Sequence, residues 1–222
     1  MSAVTLNRPW LIFDLGQDMQ VLSWSINRPG FALASRIIWR EVRNADLPKT
    51  LDVREWLGKE LRMQQARDAI AFLTSRDVTA YCETTATAGR CTAHCVATVG
   101  LSNAERVGQR VQRAPGEWGT INIAVRLTDG MTQTAMIEAL SIATQARPAA
   151  IMDAGLALPT GRATGTGTDC IAVAAPEGPA GYAGLHTDIG EALGAAVYRA
   201  TLSGARDWMT DHSKAKEGAD YG

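Results

Sequence analysis

Apolar and polar residues alternate over short runs at the start of the chain. Trp10 to Leu15 (WLIFDL), Gln20 to Ile26 (QVLSWSI) and Ala34 to Val42 are rich in β-branched and aromatic residues and predict three strands. Leu15-Gly16-Gln17-Asp18 predicts a hairpin loop, and Asn27-Arg28-Pro29-Gly30 a tight turn. In the second run Val21, Ser23 and Ser25 face one way and Leu22, Trp24 and Ile26 the other, which predicts one wet and one buried face. The period then changes. From Asp52 to about Gln65, Val53, Trp56, Leu57 and Leu61 share a helical face, and Asp52 with Glu55 reads as a capping-box-like start.

Strands are predicted over Ala69 to Thr74, Val78 to Thr85 and Cys91 to Gly100, the last two joined by the Thr87–Arg90 turn. A polar, mobile stretch is expected from Leu101 to Gly116. Gly119 to Leu127 alternates cleanly, with Ile121, Ile123, Val125 and Leu127 on one face and Thr120, Asn122, Ala124 and Arg126 on the other. Thr132 is placed to cap a helix with Ala135, Met136, Ala139, Leu140 and Ala143 as its apolar stripe. Ala149 to Asp153 and Ile171 to Ala175 read as strands, and a last helix begins near Thr187 or Asp188. In that helix Asp188 and Glu191 stand at cap spacing. The pattern predicts an α+β (mixed α/β) fold: one domain over residues 1–210, with a mixed, largely antiparallel sheet packed by about three to four helices. A disordered tail is expected over residues 211–222.

Composition adds exclusions. The 222 residues carry a net charge of −1, with no basic block in either half, so a general nucleic-acid or anionic-membrane binder is not expected. No apolar run is long enough for a membrane span and no secretory signal is visible, so a cytoplasmic location is expected by default. Cys82, Cys91, Cys95 and Cys170 read as free thiols. Oligomeric state is left open, a homo-oligomer included.

The candidate chemistry gathers between Thr160 and Glu191. A Gly/Thr-rich loop (TGRATGTGTD) delivers Asp169 to the start of a strand, and a second loop delivers His186 and Thr187 to the start of a helix. Asp169 is a candidate general base, or a partner that orients His186, itself a candidate base. Both loops can equally be turns that need glycine for backbone reasons. Thr164, Thr166, Thr168 and Thr187 are candidate nucleophiles or oxyanion donors, and the Gly165-Thr166-Gly167 backbone can form an anion nest. Rossmann and Walker loops are not indicated, because this Gly-rich loop precedes a strand and no Walker lysine follows. The Cys91-Thr92-Ala93-His94-Cys95 cluster has zinc-ligand residue types. On a strand, however, its two thiols point away from His94 and no second tight pair completes a set, so no metal is expected.

Taken together, GTINIAVRLTDGMTQTAMIEALSIATQAR, TGTGTDCIAVA and YAGLHTDIGEALGAAV resemble the adenosylcobinamide amidohydrolase family, often called CbiZ. FLTSRDV and TVGLSNAERVG are similar to its central stretches, so the resemblance covers about Ala69 to Ala200. It implies corrinoid salvage: hydrolysis of the aminopropanol amide of adenosylcobinamide to adenosylcobyric acid and 1-amino-2-propanol. Cobalt then arrives within the substrate, and no cofactor is required by the enzyme. The resulting expectation sets Asp169 and His186 as acid/base partners. Thr168, Thr187 and the Gly165, Thr166, Gly167 backbone stabilise the oxyanion, and Asn103, Thr120 and Asn122 position substrate. Trp118 and Tyr182 are candidates to pack on the corrin face. Two alternatives stand beside this reading, a non-catalytic corrinoid-binding protein and an amidase acting on a different substrate.

Overall fold

The computed structural model describes residues 2–48, 50–112 and 118–220. Its first strands are β1 (Val4–Asn7), β2 (Trp10–Ser23) and β3 (Gly30–Glu41), followed by helix α1 (Val53–Met63) and β4 (Ile70–Thr74). A hairpin of β5 (Cys82–Ala88) and β6 (Cys91–Val99), the short β7 (Ala104–Glu105) and β8 (Ile121–Leu127) lead to helix α2 (Gln133–Ala154). Three two-residue strands follow, β9 (Ala157–Leu158), β10 (Gly161–Arg162) and β11 (Gly165–Thr166), then β12 (Cys170–Ala175) and helix α3 (Asp188–Asp220). The main sheet has the order β4-β3-β2-β12-β8-β6-β5, with β1 added to β2. Only the β3–β4 and β8–β12 pairs in it are parallel. This is the mixed, largely antiparallel α+β sheet that the sequence predicts.

The alternating residues of β8 and β6 serve two cores. Ile121, Ile123, Val125 and Leu127, with Cys91, Cys95 and Val99 of β6, face the apolar stripes of α2 and α3. Val96, Ala124, Ala172 and Ala174 face the other way, onto Phe13, Leu15, Ile37, Trp39 and Phe72 from the first four strands. The sheet therefore curls until its N-terminal half covers the back of its own centre. A third cluster forms where Leu57 and Leu61 of α1 pack on Trp10, Ile38 and Ala71. Asp52 caps α1 by accepting the N–H groups of Arg54 and Glu55, both at 3.0 Å.

Several expectations are corrected. Leu15–Asp18 is no hairpin loop: these residues form a bulge inside one continuous β2, between the Asp14–Arg36 and Met19–Ala34 pairs. Gly16 takes φ +80° there, and Arg126 donates to the Leu15 carbonyl at 3.3 Å, so the bulge bends the strand into the curl. For the same reason the second run has no wet face: Val21, Leu22, Ser23 and Ser25 are all buried and only Trp24 is well exposed. Val78–Ala80 is a 3-10 turn, and the strand begins at Cys82. Ala149–Asp153 is not a strand. The α2 helix runs through Pro148 because Ala150 and Ile151 continue its buried stripe.

The last helix is capped by Thr187, whose Oγ1 accepts the Gly190 N–H at 3.0 Å, so the Asp188–Glu191 pairing is out by one residue. It continues past Asp211 to Asp220, anchored by an Arg76–Asp211 ion pair at 2.7 Å and by His212 stacked on Trp208. Residues 221–222 lie outside the described residues. So do residues 113–116 of the stretch expected to be mobile, whereas Leu101, Asn103 and Ala104 at its start are buried. Among the described residues no helix is long and apolar enough to cross a membrane.

Cys91 and Cys95 share the helix-facing side of β6. His94 points the other way, with its Nε2 2.7 Å from Glu83. Burial pushes all four thiols up, Cys170 to about 12. Native protein at pH 8 is therefore expected to react slowly with a thiol-disulfide reagent at all four positions, and fully once unfolded in guanidinium chloride. A stoichiometric burst from the native state would contradict this.

Candidate functional site

Where β6 ends and β8 and β12 begin, four loops meet. The Gly100 N–H donates to the Thr120 carbonyl at 2.9 Å and ties the end of β6 to the start of β8. Gly119 makes the approach possible: a Cβ there would lie 2.7 Å from the Ser102 nitrogen and 2.8 Å from Asn103 Oδ1. The loop after β4 joins from the curled half, with Ser75 donating to the Trp118 carbonyl at 3.1 Å and Arg76 beside Gly100. Asn122 closes the same gap by donating to the Leu73 carbonyl at 2.7 Å.

The Gly/Thr loop is laced onto this framework. β11 pairs with β7, setting Gly165 opposite Glu105 and Thr166 opposite Ala104. Thr168 Oγ1 donates to the Gly119 carbonyl and Thr120 Oγ1 to the Thr168 carbonyl, both at 2.8 Å. Asp169 then fastens the loop from inside. Its Oδ1 accepts Thr166 Oγ1 at 2.5 Å and the Ile121 N–H at 3.2 Å, while Oδ2 accepts the Thr166 N–H at 3.0 Å and pairs with Arg147 at 3.2 Å. The two side chains are 5% and 18% exposed, so this is a buried ion pair. Burial raises the Asp169 carboxyl above its ordinary range, while Arg147 and the Thr166 and Ile121 donors pull it partly back. Gly165 leaves the space, since a Cβ there would lie 2.5 Å from Asp169 Oδ2. The Trp24 indole N–H donates to the Asp169 carbonyl at 2.7 Å.

This end is polar in an otherwise apolar interior. Asn103, Thr120, Asn122 and Thr164 are buried, and among the described residues Asn103 Oδ1 has no hydrogen-bond donor. Trp118 stands at the rim, 58% exposed.

His186, Thr187 and Tyr182 lie elsewhere. They follow the other end of β12, on a segment held to the start of α2 by Met131 donating to the Pro176 carbonyl at 2.9 Å and Ala183 to Glu138 at 2.7 Å. An open groove of about 440 Å³ runs there between Glu138, Gln145, Tyr182 and His186. His186 is exposed and makes no hydrogen bond to the described residues, and Thr187 is the α3 cap. Among the described residues no hydrogen bond joins Asp169 to His186, and Asp169 does not line the His186 groove.

Asn103, Thr120, Asn122, Gly165, Thr166, Gly167, Thr168, Asp169 and Trp118 thus gather at one end of the sheet. Sequence reasoning missed Arg147, Trp24 and Ser75 as their neighbours. Arg147 carries no local signal, being one of several polar residues on α2. Ser75 stood in plain view within FLTSRDV, a segment already noted for its resemblance.

No curated protein matches the chain. The description "Adenosylcobinamide amidohydrolase" (CbiZ) matches residues 2–213, nearly all of the sequence. With FLTSRDV, GLSN, GTIN and TGTGTD meeting at one end of its sheet, the chain belongs to the adenosylcobinamide amidohydrolase family.

Proposed function

We propose that the chain hydrolyses the aminopropanol amide of adenosylcobinamide, giving adenosylcobyric acid and 1-amino-2-propanol, at the end of the sheet that holds Asp169. The observation supporting this reading is the meeting of Ser75–Arg76, Gly100–Asn103, Trp118–Asn122 and Thr164–Asp169, four segments far apart in sequence, in a chain of this family.

Hydrolysis adds water across the C–N bond. The water oxygen bonds to the carbonyl carbon, the C–N bond breaks, and the departing nitrogen takes up a proton. Asp169 is the base in this reading, its carboxyl made more basic by burial. Gly167 has no neighbouring atom within 4 Å of the position a side chain would take, so substrate can approach its backbone. The Gly165–Thr168 loop then supplies donors to the oxyanion. Asn103 Oδ1, buried and without a donor among the described residues, accepts a substrate amide N–H, and Trp118 packs on the corrin. Cobalt belongs to the substrate, and the enzyme uses no cofactor of its own.

The test is mass-spectrometric detection of 1-amino-2-propanol after incubation with adenosylcobinamide. Asp169→Asn is expected to stop release, and His186→Ala to keep turnover within about threefold of the parent. The reverse pattern would move the chemistry to the His186 groove. A bound corrinoid with no amine released by the parent protein would leave a binding protein, and turnover of simple amides alone an amidase with another substrate.

A further inference from the structure

On the outer side of the fold, the β2–β3 turn and α1 leave a groove of about 320 Å³ between them. Arg28, Arg54, Arg62 and Arg67 line it, with Gly58 and Leu61 also in its wall. Four of its eight lining residues are arginines in a chain whose net charge is −1, so the cluster is not the by-product of a basic surface. Among the described residues none of the four is in an ion pair, because the neighbouring carboxylates are engaged elsewhere. Asp68 pairs with Arg36 at 3.4 Å, Glu60 with Arg40 at 2.9 Å and Glu55 with Lys59 at 2.7 Å. Asp52 is occupied in capping α1. Like charges held together without counter-charges repel, and an anion entering the groove relieves that repulsion.

The groove is also partly organised in advance. Asn27 fixes the turn by donating to the Ala69 carbonyl at 2.9 Å and accepting the Ala71 N–H at 3.0 Å. Arg28 donates through Nη1 to the Leu33 carbonyl at 3.0 Å and to the Asp68 carbonyl, which fixes its plane and leaves other N–H groups for a ligand. A Cβ at Gly58 would meet only Arg62 Nη1, at 3.9 Å, so that side of α1 stays flat and open. All four cations are arginines, whose planar forks match phosphate oxygens in pairs. The volume lies at the small end of ligand sites, suited to a metabolite rather than a polymer.

We propose that this groove binds a small phosphorylated metabolite carrying two or more phosphate charges. The site is separate from amide cleavage and does not rest on it.

Calorimetric titration of the whole chain with inorganic pyrophosphate tests the assignment. One saturable site is expected, with Kd on the order of 10–100 μM at low salt, weakening as salt rises. Arg62→Gln/Arg67→Gln is expected to weaken it at least about tenfold with an unchanged circular dichroism spectrum. Arg54→Gln/Arg67→Gln, on exposed side chains with no hydrogen bond or ion pair to the described residues, gives an independent second variant. Turnover of adenosylcobinamide by both variants is expected to match the parent. No saturable binding at about 1 mM pyrophosphate, or equal binding by parent and variants, would overturn the proposal. So would binding to an oligonucleotide or to anionic vesicles without binding to pyrophosphate.

Discussion

Asp169→Ala is expected to destabilise the protein by about 3–5 kcal/mol and to abolish amide hydrolysis. The stability loss comes from what remains behind. Arg147 keeps a buried charge without its partner, and removing one member of a buried pair typically carries a cost of that size. The Thr166 hydroxyl and the Thr166 and Ile121 N–H groups lose their acceptors as well. Denaturant unfolding followed by circular dichroism measures the loss, and a midpoint within error of the parent would refute the keystone role. Asp169→Asn keeps the shape and one acceptor oxygen but also leaves Arg147 unpaired, so its turnover is read beside its own unfolding curve. The pH dependence has a definite sign. Folding raises this carboxyl, so the folded state holds its proton more tightly than the unfolded chain does. The contribution of this group to stability is therefore greatest below the ordinary carboxylate range. It falls as pH rises through the window from that range up to the raised value. Asp169→Asn should remove that slope.

Gly119→Ala is expected to have the second largest effect. The added methyl would meet the Ser102 nitrogen at 2.7 Å and the Gly100 carbonyl oxygen and Asn103 Oδ1 at 2.8 Å, and two of these three are backbone atoms that cannot rotate away. Relief requires the Gly100–Asn103 loop to move off the start of β8, at about 1–3 kcal/mol for overpacking. A displacement near 1 Å among positioning residues can cost about a hundredfold in rate. The expected signature is a modest fall in melting temperature beside a loss of turnover of that order. A variant that keeps parental turnover would show that Asn103 and Thr120 do not position substrate. Gly167→Ala, at an open position, is the matched control for stability.

Patterns confined to a few neighbouring residues were legible in the sequence. The alternation of Ile121 to Leu127, the Asp52 and Thr132 caps and the apolar run from Ile171 to Ala175 all depend on local periodicity or a single side chain. Leu15-Gly16-Gln17-Asp18 was misleading because a glycine at positive φ serves a bulge as readily as a hairpin. Ala149 to Asp153 reads as a strand, but these residues continue the helix through Pro148, with Ala150 and Ile151 buried on its stripe. The separation of Asp169 from His186 has a simpler origin. Asp169 stands at the entry to β12 and His186 beyond its exit, on the segment tied to α2 through Glu138, so closeness in the chain does not pair them. Arg147 was invisible because only the course of α2, back along the sheet from Met131, carries it to Asp169.

The position of β12 bears on how the chain is made. It pairs with β2 on one side and β8 on the other, so the middle of the sheet is supplied by residues 170–175. During synthesis β1, β2 and β3 emerge early and pair, but the Gln20–Ser23 part of the other edge of β2 has no neighbour until most of the polypeptide has been translated. The partners Leu22 and Val173 are far apart in sequence, and such non-local pairing slows folding. The interval in which that edge stands open is when a nascent chain of this fold is most exposed to aggregation.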